Sequence, residues 1–325
     1  MKLITFSFFI LLSIPSFSQI NVGSVGEEDN IRRALVKFTP GSLKALKNTN
    51  TVFVYGSRDE ENLTELKEVL SKIWTFNDLK FQSYSDFIAD TVENNNISYI
   101  SIDMKSTQYS NSNGSTYYKT YIYLVLWMSN DDNTPYTFAR IDLFPSYSSI
   151  TGVQDILFHG VDGDYQNYLY EKAIYRNWNL GFLKNALQLV NNHLIEGNEK
   201  WMNEQILTND VKELKSKTLY ISESSLIKFG KFSGDESEKH EVTKLLKNYE
   251  FKYKVVSDET LSNLITEDDE VIYYVSYVKS CTDKFFAIVN SQTGEIIYSN
   301  YDNNSYNIDS GDFSRLSKSI VSKNE

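Results

Sequence analysis

Four side chains that could bind a metal ion lie close together in the segment DILFHGVDGD. They are Asp155, His159, Asp162 and Asp164. One imidazole and three carboxylates could ligate a divalent metal. However, no two histidines share a helix face, and the spacing is not that of an EF-hand. We therefore interpret the segment as an acidic loop leading into a helix, whose N-terminus favours Asp162 and Asp164.

A second acidic group near the C-terminus could be a calcium site. Its members are Asp302, Asn304, Asp309 and Asp312. Carboxylate and amide oxygens suit calcium, but Asp and Asn are also the common residues of loops and helix N-caps. We interpret this group as a solvated loop followed by a helix cap, so no metal ligand is predicted here either.

Nucleophilic and acid–base catalysis have little support in the sequence. The single cysteine, Cys281, would need a neighbouring base, and the three histidines show no spacing that supplies one. Cys281 is instead predicted to be a small residue at a strand end or turn. The motifs G-x-S-x-G, H-E-x-x-H, G-x-G-x-x-G and the P-loop are all absent. No catalytic residue, cofactor-binding residue or cofactor is therefore predicted.

A hydrolase acting on glycans or peptides remains an alternative function. It would need two carboxylates facing one pocket. The chain has 43 Asp plus Glu residues, so the sequence singles out no such pair.

Tyrosines cluster on two predicted strands. They are Tyr117, Tyr118, Tyr121 and Tyr123, and Tyr273, Tyr274 and Tyr277. Alternation along a strand sends half of such side chains inward and half outward. We interpret the clusters as core and sheet-face packing. The outward rings could instead bind a partner or a sugar, which makes a sugar- or small-ligand-binding module a further alternative.

Much of the stretch 51–106 recurs in the same order in 218–280. The first copy reads TVFVYGS, a helical run, LKFQSYSD and ISYISIDMKS. The second reads TLYISES, a helical run, FKYKVVSD and VIYYVSYVKS. Several matches keep nearly constant offsets, including Ser85 with Ser257 and Tyr99 with Tyr273. Ordered matches of this kind predict an internal duplication.

The pattern of strands and helices predicts an α+β or α/β fold. It consists of two similar β-α-β-α-β-β-β-α units, each a mixed sheet covered by helices. The predicted divisions are a signal peptide (1–18), an N-terminal lead-in (19–50), a first unit (51–207) with a long closing helix (165–195), and a second unit (208–325). The duplication predicts pseudo-twofold packing of the units, with the long helix between them.

Several local elements are also predicted from the sequence. Residues 19–30 are expected to be a flexible mature N-terminus, and 145–164 a loop. Helices are expected over 201–207 and 236–249, the latter with Val242, Leu245 and Leu246 on its inner face.

Charge and the N-terminal segment indicate the compartment. The net charge of −11 argues against nucleic acid and anionic lipid as partners. Lys2, an apolar run over 3–14 and small residues at Ser16 and Ser18 predict a signal peptide cut before Gln19. No cysteine stands directly after the cut, so no lipoprotein anchor is predicted. No later stretch could span a membrane, and the single cysteine of the chain allows no internal disulfide. We expect an exported protein without membrane insertion, in the periplasm or outside the cell.

The chain resembles exported proteins of Bacteroidetes-type bacteria. The resemblance lies in the signal peptide ending FSQ, the richness in Tyr, Asn and Lys, and the phrase IVNSQTGEIIYSN. The strand–helix order of each unit is also similar to small α/β domains of periplasmic envelope accessory proteins, such as the N-terminal domain of TolB and the CsgG- and LpoB-like proteins. This similarity implies a non-enzymatic accessory module that binds another envelope or secreted protein. The sequence predicts no oligomeric state.

Overall fold

The computed structural model describes residues 19–23, 37–89, 96–110, 113–129, 134–202, 204–230, 234–267, 270–303 and 305–322. These residues form mixed sheets of six and five strands with helices on their faces. The predicted fold class is therefore confirmed. The predicted signal peptide, residues 1–18, lies outside the described residues and stays a prediction.

The first sheet contains the first five predicted strands and one more. The strands are β1 (Ile20–Val22), β2 (Asn50–Tyr55), β3 (Asp78–Ser83), β4 (Ile97–Ser110), β5 (Thr116–Ser129) and β6 (Pro135–Asp142). Their order is β1-β6-β5-β4-β2-β3. β2 runs parallel to β3 and β4 because helices connect these strands, and the hairpins β4–β5 and β5–β6 are antiparallel.

Six α-helices accompany this sheet among the described residues. They are α1 (Ser42–Lys47), α2 (Leu63–Ile73), α3 (Tyr84–Ala89), α4 (Tyr147–Phe158), α5 (Tyr165–Glu171) and α6 (Leu180–Glu196), together with a 3₁₀ helix, Ser57–Asn62. The apolar face predicted for α2 is confirmed, since Leu66 and Leu70 are buried in the core. α2 and α6 pack on one face of the sheet, and α3 packs on the other.

The second sheet repeats this arrangement. Its strands are β7 (Leu219–Ser222), β10 (Tyr253–Val256), β11 (Tyr273–Ser280), β12 (Asp283–Asn290) and β13 (Ile296–Asn303), in the order β10-β7-β11-β12-β13. The order and the strand directions are those of β3-β2-β4-β5-β6. The remaining elements are the hairpin β8 (Ile227–Phe229) and β9 (Glu236–Lys239), and the helices α7 (Val242–Leu245), α8 (Asp258–Thr266) and α9 (Ser310–Val321).

The pairing register corrects one part of the predicted repeat. Phe53 of β2 pairs with Ile100 of β4, and Leu219 of β7 pairs with Tyr273 of β11. Phe53 and Leu219 are equivalent because both face the core beneath the helix that follows their strand, α2 or α7. Tyr273 is therefore the counterpart of Ile100 and not of Tyr99. A one-residue shift moves a side chain to the opposite face, so the predicted match is wrong from Tyr99 to the end of β4.

The two units are stacked head to tail, so the predicted pseudo-twofold packing is wrong. Helix α6 contacts the α2 face of the first sheet and, on its other side, the α8 face of the second sheet. These faces are not equivalent, because α8 corresponds to α3. Helices α7 and α9 cover the remaining face of the second sheet. A twofold axis would instead bring the same face of both sheets together.

Several predicted local elements differ from the structure. The long helix 165–195 is two helices, α5 and α6, because Asn179 caps the start of α6 by accepting a hydrogen bond from the Phe182 amide. The predicted loop 145–164 contains α4, capped by Ser146. The predicted helix 236–249 is strand β9 and the short helix α7, and 201–207 forms no helix in its described residues.

The start of the described chain is built into the fold and is not flexible. β1 pairs with β6, and the Val22 amide and carbonyl exchange hydrogen bonds with Lys200. The Gln19 side chain donates to Ser276 Oγ at 2.7 Å, which ties the first sheet to the second. Strand pairing and burial thus override the polar, glycine-containing sequence that suggested a flexible end, and residues 19–23 belong to the first sheet rather than to a lead-in.

Lys200 is a buried cation beside this strand. Its residue is 4% exposed, and burial lowers the pKa of its ammonium group to about 8, with partial compensation from Glu204 and Glu295. Because the folded-state pKa lies below the unfolded value, the charge destabilises the fold below pH 8. This penalty disappears as the pH rises through the window between the two pKa values.

Replacing Lys200 with methionine is expected to stabilise the protein at pH 7 by about 3 kcal/mol, since the pKa falls from 10.5 to about 8 and one pKa unit corresponds to about 1.4 kcal/mol. The gain should shrink as the pH rises from 8 towards 10.5. Urea unfolding at several pH values measures it. Lys47→Met, at an exposed position of α1, is the matched control and should show no such trend. A Lys200→Met protein less stable than wild type at pH 7 would contradict the prediction.

Candidate binding groove

A groove of about 770 Å³ lies on the α3 face of the first sheet. Its floor is formed by β4, β5 and β6. One wall is α3, and the end of the groove is closed by Gln166 and Tyr170 of α5. The groove is about half open to solvent.

Aromatic side chains form one side of the groove. The Phe87 and Tyr99 rings meet edge to face with centroids 5.1 Å apart, and the Tyr99 and Trp127 rings are 5.2 Å apart. The Trp127 indole donates a hydrogen bond to Ser101 Oγ at 2.9 Å, which fixes its orientation. The rings are tilted, so they form an irregular apolar wall and not a flat stacking platform.

A buried ion pair lies in the floor. The Arg140 Nε donates to Asp142 Oδ1 at 2.6 Å, and both side chains are almost fully buried. The guanidinium carbon of Arg140 lies 4.1 Å from the Tyr123 ring centroid, a cation–π contact. Because Asp142 and Tyr123 hold it from two sides, Arg140 is a rigid, oriented group at the edge of the groove.

Asp103 is the carboxylate that lines the groove. It accepts hydrogen bonds from the Met104 amide at 2.7 Å and from the Gln166 side chain at 3.5 Å. Burial raises the pKa of Asp103 above its ordinary value, against opposing effects of these hydrogen bonds and of Arg140. A donor or a cation placed in the groove would favour the charged form and gain a strong hydrogen bond.

The equivalent face of the second sheet is covered. Pairing along the strands relates each floor position to one in the second sheet. The pairs are Ser101 and Tyr274, Asp103 and Ser276, Tyr123 and Ala287, Val125 and Val289, and Arg140 and Ile296. In the second sheet these positions are buried beneath α6. The first sheet thus exposes, in more polar and aromatic form, a face that its repeat uses as core.

The four residues first considered as metal ligands are divided among α4, the loop that follows it and the start of α5. Asp155 Oδ1 lies 2.8 Å from His159 Nδ1 on α4, and both side chains are about half exposed. Asp164 caps α5 by accepting a hydrogen bond from the Gln166 amide, as expected of an aspartate at a helix start. Asp162 is exposed in the loop between the helices. Within the described residues, no group of three or more His, Cys, Asp or Glu could hold a metal.

The second acidic group surrounds a lysine. Lys284 Nζ lies 2.9 Å from Asp312, 2.9 Å from Asp302 and 3.7 Å from Asp309. Asp309 caps α9, as predicted, and Asp312 completes the capping box. The group is therefore an ion network built on the buried pair Lys284 and Asp312, with the more exposed Asp302 and Asp309 at its edge. The ammonium occupies the space among these carboxylates. Asn304 lies outside the described residues.

The core interpretation of the second tyrosine cluster is confirmed. Tyr273, Tyr274 and Tyr277 are buried although they point to both faces, because helices cover both faces of this sheet. In the first cluster, Tyr123 lines the groove, and Tyr117 is exposed and stacks on Tyr109.

Cys281 lies in the turn between β11 and β12, as predicted, with φ of 53°. Burial and Asp283 raise the pKa of its thiol, which disfavours the nucleophilic thiolate.

The main residues of the groove, Asp103 and Arg140, were missed by sequence reasoning. One signal was available. Arg140 and Asp142 are charged residues two positions apart in the apolar strand FARIDLF, so they must share one face of the sheet. Asp103 likewise interrupts the apolar strand ISYISIDM. Charges in central strands mark a sheet face that is not ordinary core.

Comparisons with protein-family models, with curated proteins and with solved structures found no match to this chain. Among the described residues, no helix is long and apolar enough to cross a membrane.

Proposed function

We propose that the protein is a non-enzymatic interaction module that binds a partner protein through the groove on the first sheet. The proposal rests on a difference between equivalent faces of the two sheets. α6 covers the face in the second sheet, whereas the first sheet leaves it open and lines it with Trp127, Tyr123 and Arg140. Trp, Tyr and Arg are the residue types enriched at the energetic centres of protein interfaces.

The groove supports binding better than hydrolysis. Acid–base hydrolysis needs two carboxylates free to act on one bond. Asp142 is almost fully buried and paired with Arg140. Asp103 is therefore the carboxylate that lines the groove. The rings of Phe87, Tyr99 and Trp127 are tilted. The parallel rings of Tyr84 and Tyr170 are buried and stack on each other with centroids 4.2 Å apart. These rings therefore form no open platform for a sugar, and neither alternative is favoured.

The predicted signal peptide places this activity, as part of the proposal, in the periplasm or outside the cell, where the partner would be another envelope or secreted protein. The net charge of −11 is unfavourable for a nucleic-acid partner.

Site-specific photo-crosslinking tests the proposal. A benzophenone amino acid at Ile88, on the rim of the groove, is expected to capture one protein in cells of the source organism. The matched control is Ile195 on α6, because both isoleucines are 56% exposed. An adduct formed from Ile88 and not from Ile195 supports the groove as the interface. No intermolecular adduct from Ile88, or cross-links only to residues 24–36 of the same chain, would overturn the proposal.

A further inference from the structure

We infer that the occupant of the groove is an amphipathic α-helix of the partner protein, which covers the first sheet as α6 covers the second. This inference rests on the proposed function, and it adds the conformation and the chemistry of the segment that binds. It is carried by the internal repeat, because the chain itself shows what packs on this kind of face.

α6 approaches the second sheet closely at its first turn. The Gly181 amide donates to Ser262 Oγ of α8 at 3.0 Å, and a Cβ at Gly181 would lie 2.9 Å from the Ser262 carbonyl oxygen. A small residue is therefore required where the helix crosses α8. A partner helix that crosses α3, the counterpart of α8, needs a small residue at the same place.

Polar side chains of α6 fix its position over the sheet. Lys184 Nζ donates to the Ile265 carbonyl at 2.7 Å, and Asn185 accepts a hydrogen bond from the Tyr274 hydroxyl at 3.0 Å. The positions equivalent to Tyr274 and its neighbour Ser276 are Ser101 and Asp103. A partner helix that follows α6 thus brings its polar residues to Ser101, two residues before Asp103 on the same face of β4. Ser276 itself accepts a hydrogen bond from Gln19, so a long side chain on the partner helix would be needed to reach Asp103.

The shape and charge of the groove define the rest of the partner helix. Apolar residues at helical spacing would pack against Phe87, Tyr99 and Trp127, and the 56% exposed Ile88 would contact the same face. A lysine or arginine next to them would meet Asp103. The net charge of −11 favours the approach of such a basic helix.

A second copy of this chain does not fit the description. α9, at the opposite end of the stack, turns its apolar residues Phe313, Leu316 and Ile320 into its own core. Its outward positions include Arg315 and Lys318. α6 is already covered on two sides. α6 and α9 are thus unsuitable as the occupant, and we take the helix that completes the first sheet to come from a different protein.

Parallel selections from two peptide libraries on the full-length chain test the inference. One library randomises the exposed face of a single helix on a helical scaffold, and the other displays linear peptides with flanking prolines. The helical library is expected to yield ligands with a small residue, apolar residues at i, i+3, i+4 and i+7, and a lysine or arginine. Their dissociation constants should be in the micromolar range, on the order of 1–10 μM.

Three variants of the protein show where the selected peptide binds, and a peptide with a disrupted helix shows whether it binds as a helix. Ile88→Glu and Asp103→Asn should each weaken a selected helix by about tenfold, whereas Ile195→Glu should leave its affinity unchanged. A version of the same peptide with a central proline should lose at least about tenfold, since proline breaks the helix. Fluorescence anisotropy measures all of these affinities.

The outcomes test two claims separately: that the ligand is helical, and that it binds in the groove. Linear, proline-flanked ligands that are sensitive to Ile88→Glu, with no helical ligand of that sensitivity, would overturn the helix and leave the proposed function standing. Helical ligands that are insensitive to both Ile88→Glu and Asp103→Asn would also overturn the inference. If neither library gives a ligand sensitive to Ile88→Glu and Ile88 captures no partner in cells, both proposals fail.

Discussion

Replacing Lys284 with methionine is expected to lower the free energy of unfolding by about 3–5 kcal/mol, because it leaves a buried carboxylate without its main partner. Both Lys284 and Asp312 are fully buried, and Lys284 Nζ lies within 3.1 Å of both oxygens of Asp312. Burial alone would lower the pKa of Lys284, but Asp312 and Asp302 outweigh it and hold the pKa above its usual range. Arg315, which contacts Asp312 at 2.6 Å, is 45% exposed and compensates only partly.

The same carboxylate also starts the last helix. Asp312 Oδ2 accepts a hydrogen bond from the Asp309 amide at 2.8 Å, within the capping box of α9. Loss of Lys284 should therefore loosen the first turn of α9 as well as the contact of α9 with β12. Urea unfolding measures the loss, and hydrogen exchange in α9 locates it.

Two further variants make this prediction specific. Lys239→Met removes an exposed pair with Glu223, whose side chains are 54% and 52% exposed, and should cost less than about 1 kcal/mol. The double variant Lys284→Met/Asp312→Asn should recover part of the loss, because no unpaired charge stays buried. A Lys284→Met protein that is destabilised no more than Lys239→Met would show that the buried pair adds nothing.

Arg58→Ala is expected to cost about 3 kcal/mol, since hydrogen bonds to charged groups contribute about 1.5–3 kcal/mol. Its guanidinium donates to the carbonyls of Tyr170 at 2.6 Å and Ala173 at 2.7 Å, and also to that of Leu169. The carbonyls of Leu169 and Tyr170 belong to the last turn of α5, where carbonyls have no partner within the helix, and Ala173 lies two residues beyond the helix. The guanidinium carbon also lies 4.8 Å from the Tyr175 ring centroid.

Arg58→Lys separates charge from geometry. Lysine keeps the charge but cannot reach several carbonyls at once, so it should lose about half as much stability as alanine. The control is Lys67→Ala, which removes a cation–π contact between Lys67 and Tyr55. This variant should lose less than about 1 kcal/mol of stability. Equal stability of Arg58→Lys and wild type would mean that the fork of hydrogen bonds is unimportant. α5 carries Gln166 and Tyr170, so Arg58→Ala should also weaken groove ligands.

The succession of strands and helices along each unit could be predicted because its signals are local. Turn residues, period-two alternation and the helical run after β2 each act within a few residues. The break between α5 and α6 was hidden because Asn179 lies inside an apolar stripe that continues on both sides. β9 was hidden because its sequence, ESEK, has no strand preference and is exposed throughout, so only its pairing with β8 defines it.

The groove could not be predicted, because it depends on the relation between two faces far apart in sequence. The charges of Asp103 and Arg140 are visible in the chain, but their meaning comes from the position of α6 over the other sheet. The start of α3 shows that local sequence signals also do not identify every helix cap. Two serines, Ser83 and Ser85, stand near the start of α3 in the sequence, and the structure shows that the Asp86 amide donates to Ser83 Oγ.

Because the repeats are arranged head to tail, the two ends of the stack are structurally different. Each closing helix shields its own sheet, and α6 also shields the next one, as in modular arrays in which every module covers its neighbour. The C-terminal end is sealed by α9 and its ion network. New modules can therefore be added by engineering only ahead of β1, where the last helix of an added module would fill the groove. A module added in this way would compete with any partner protein for the groove.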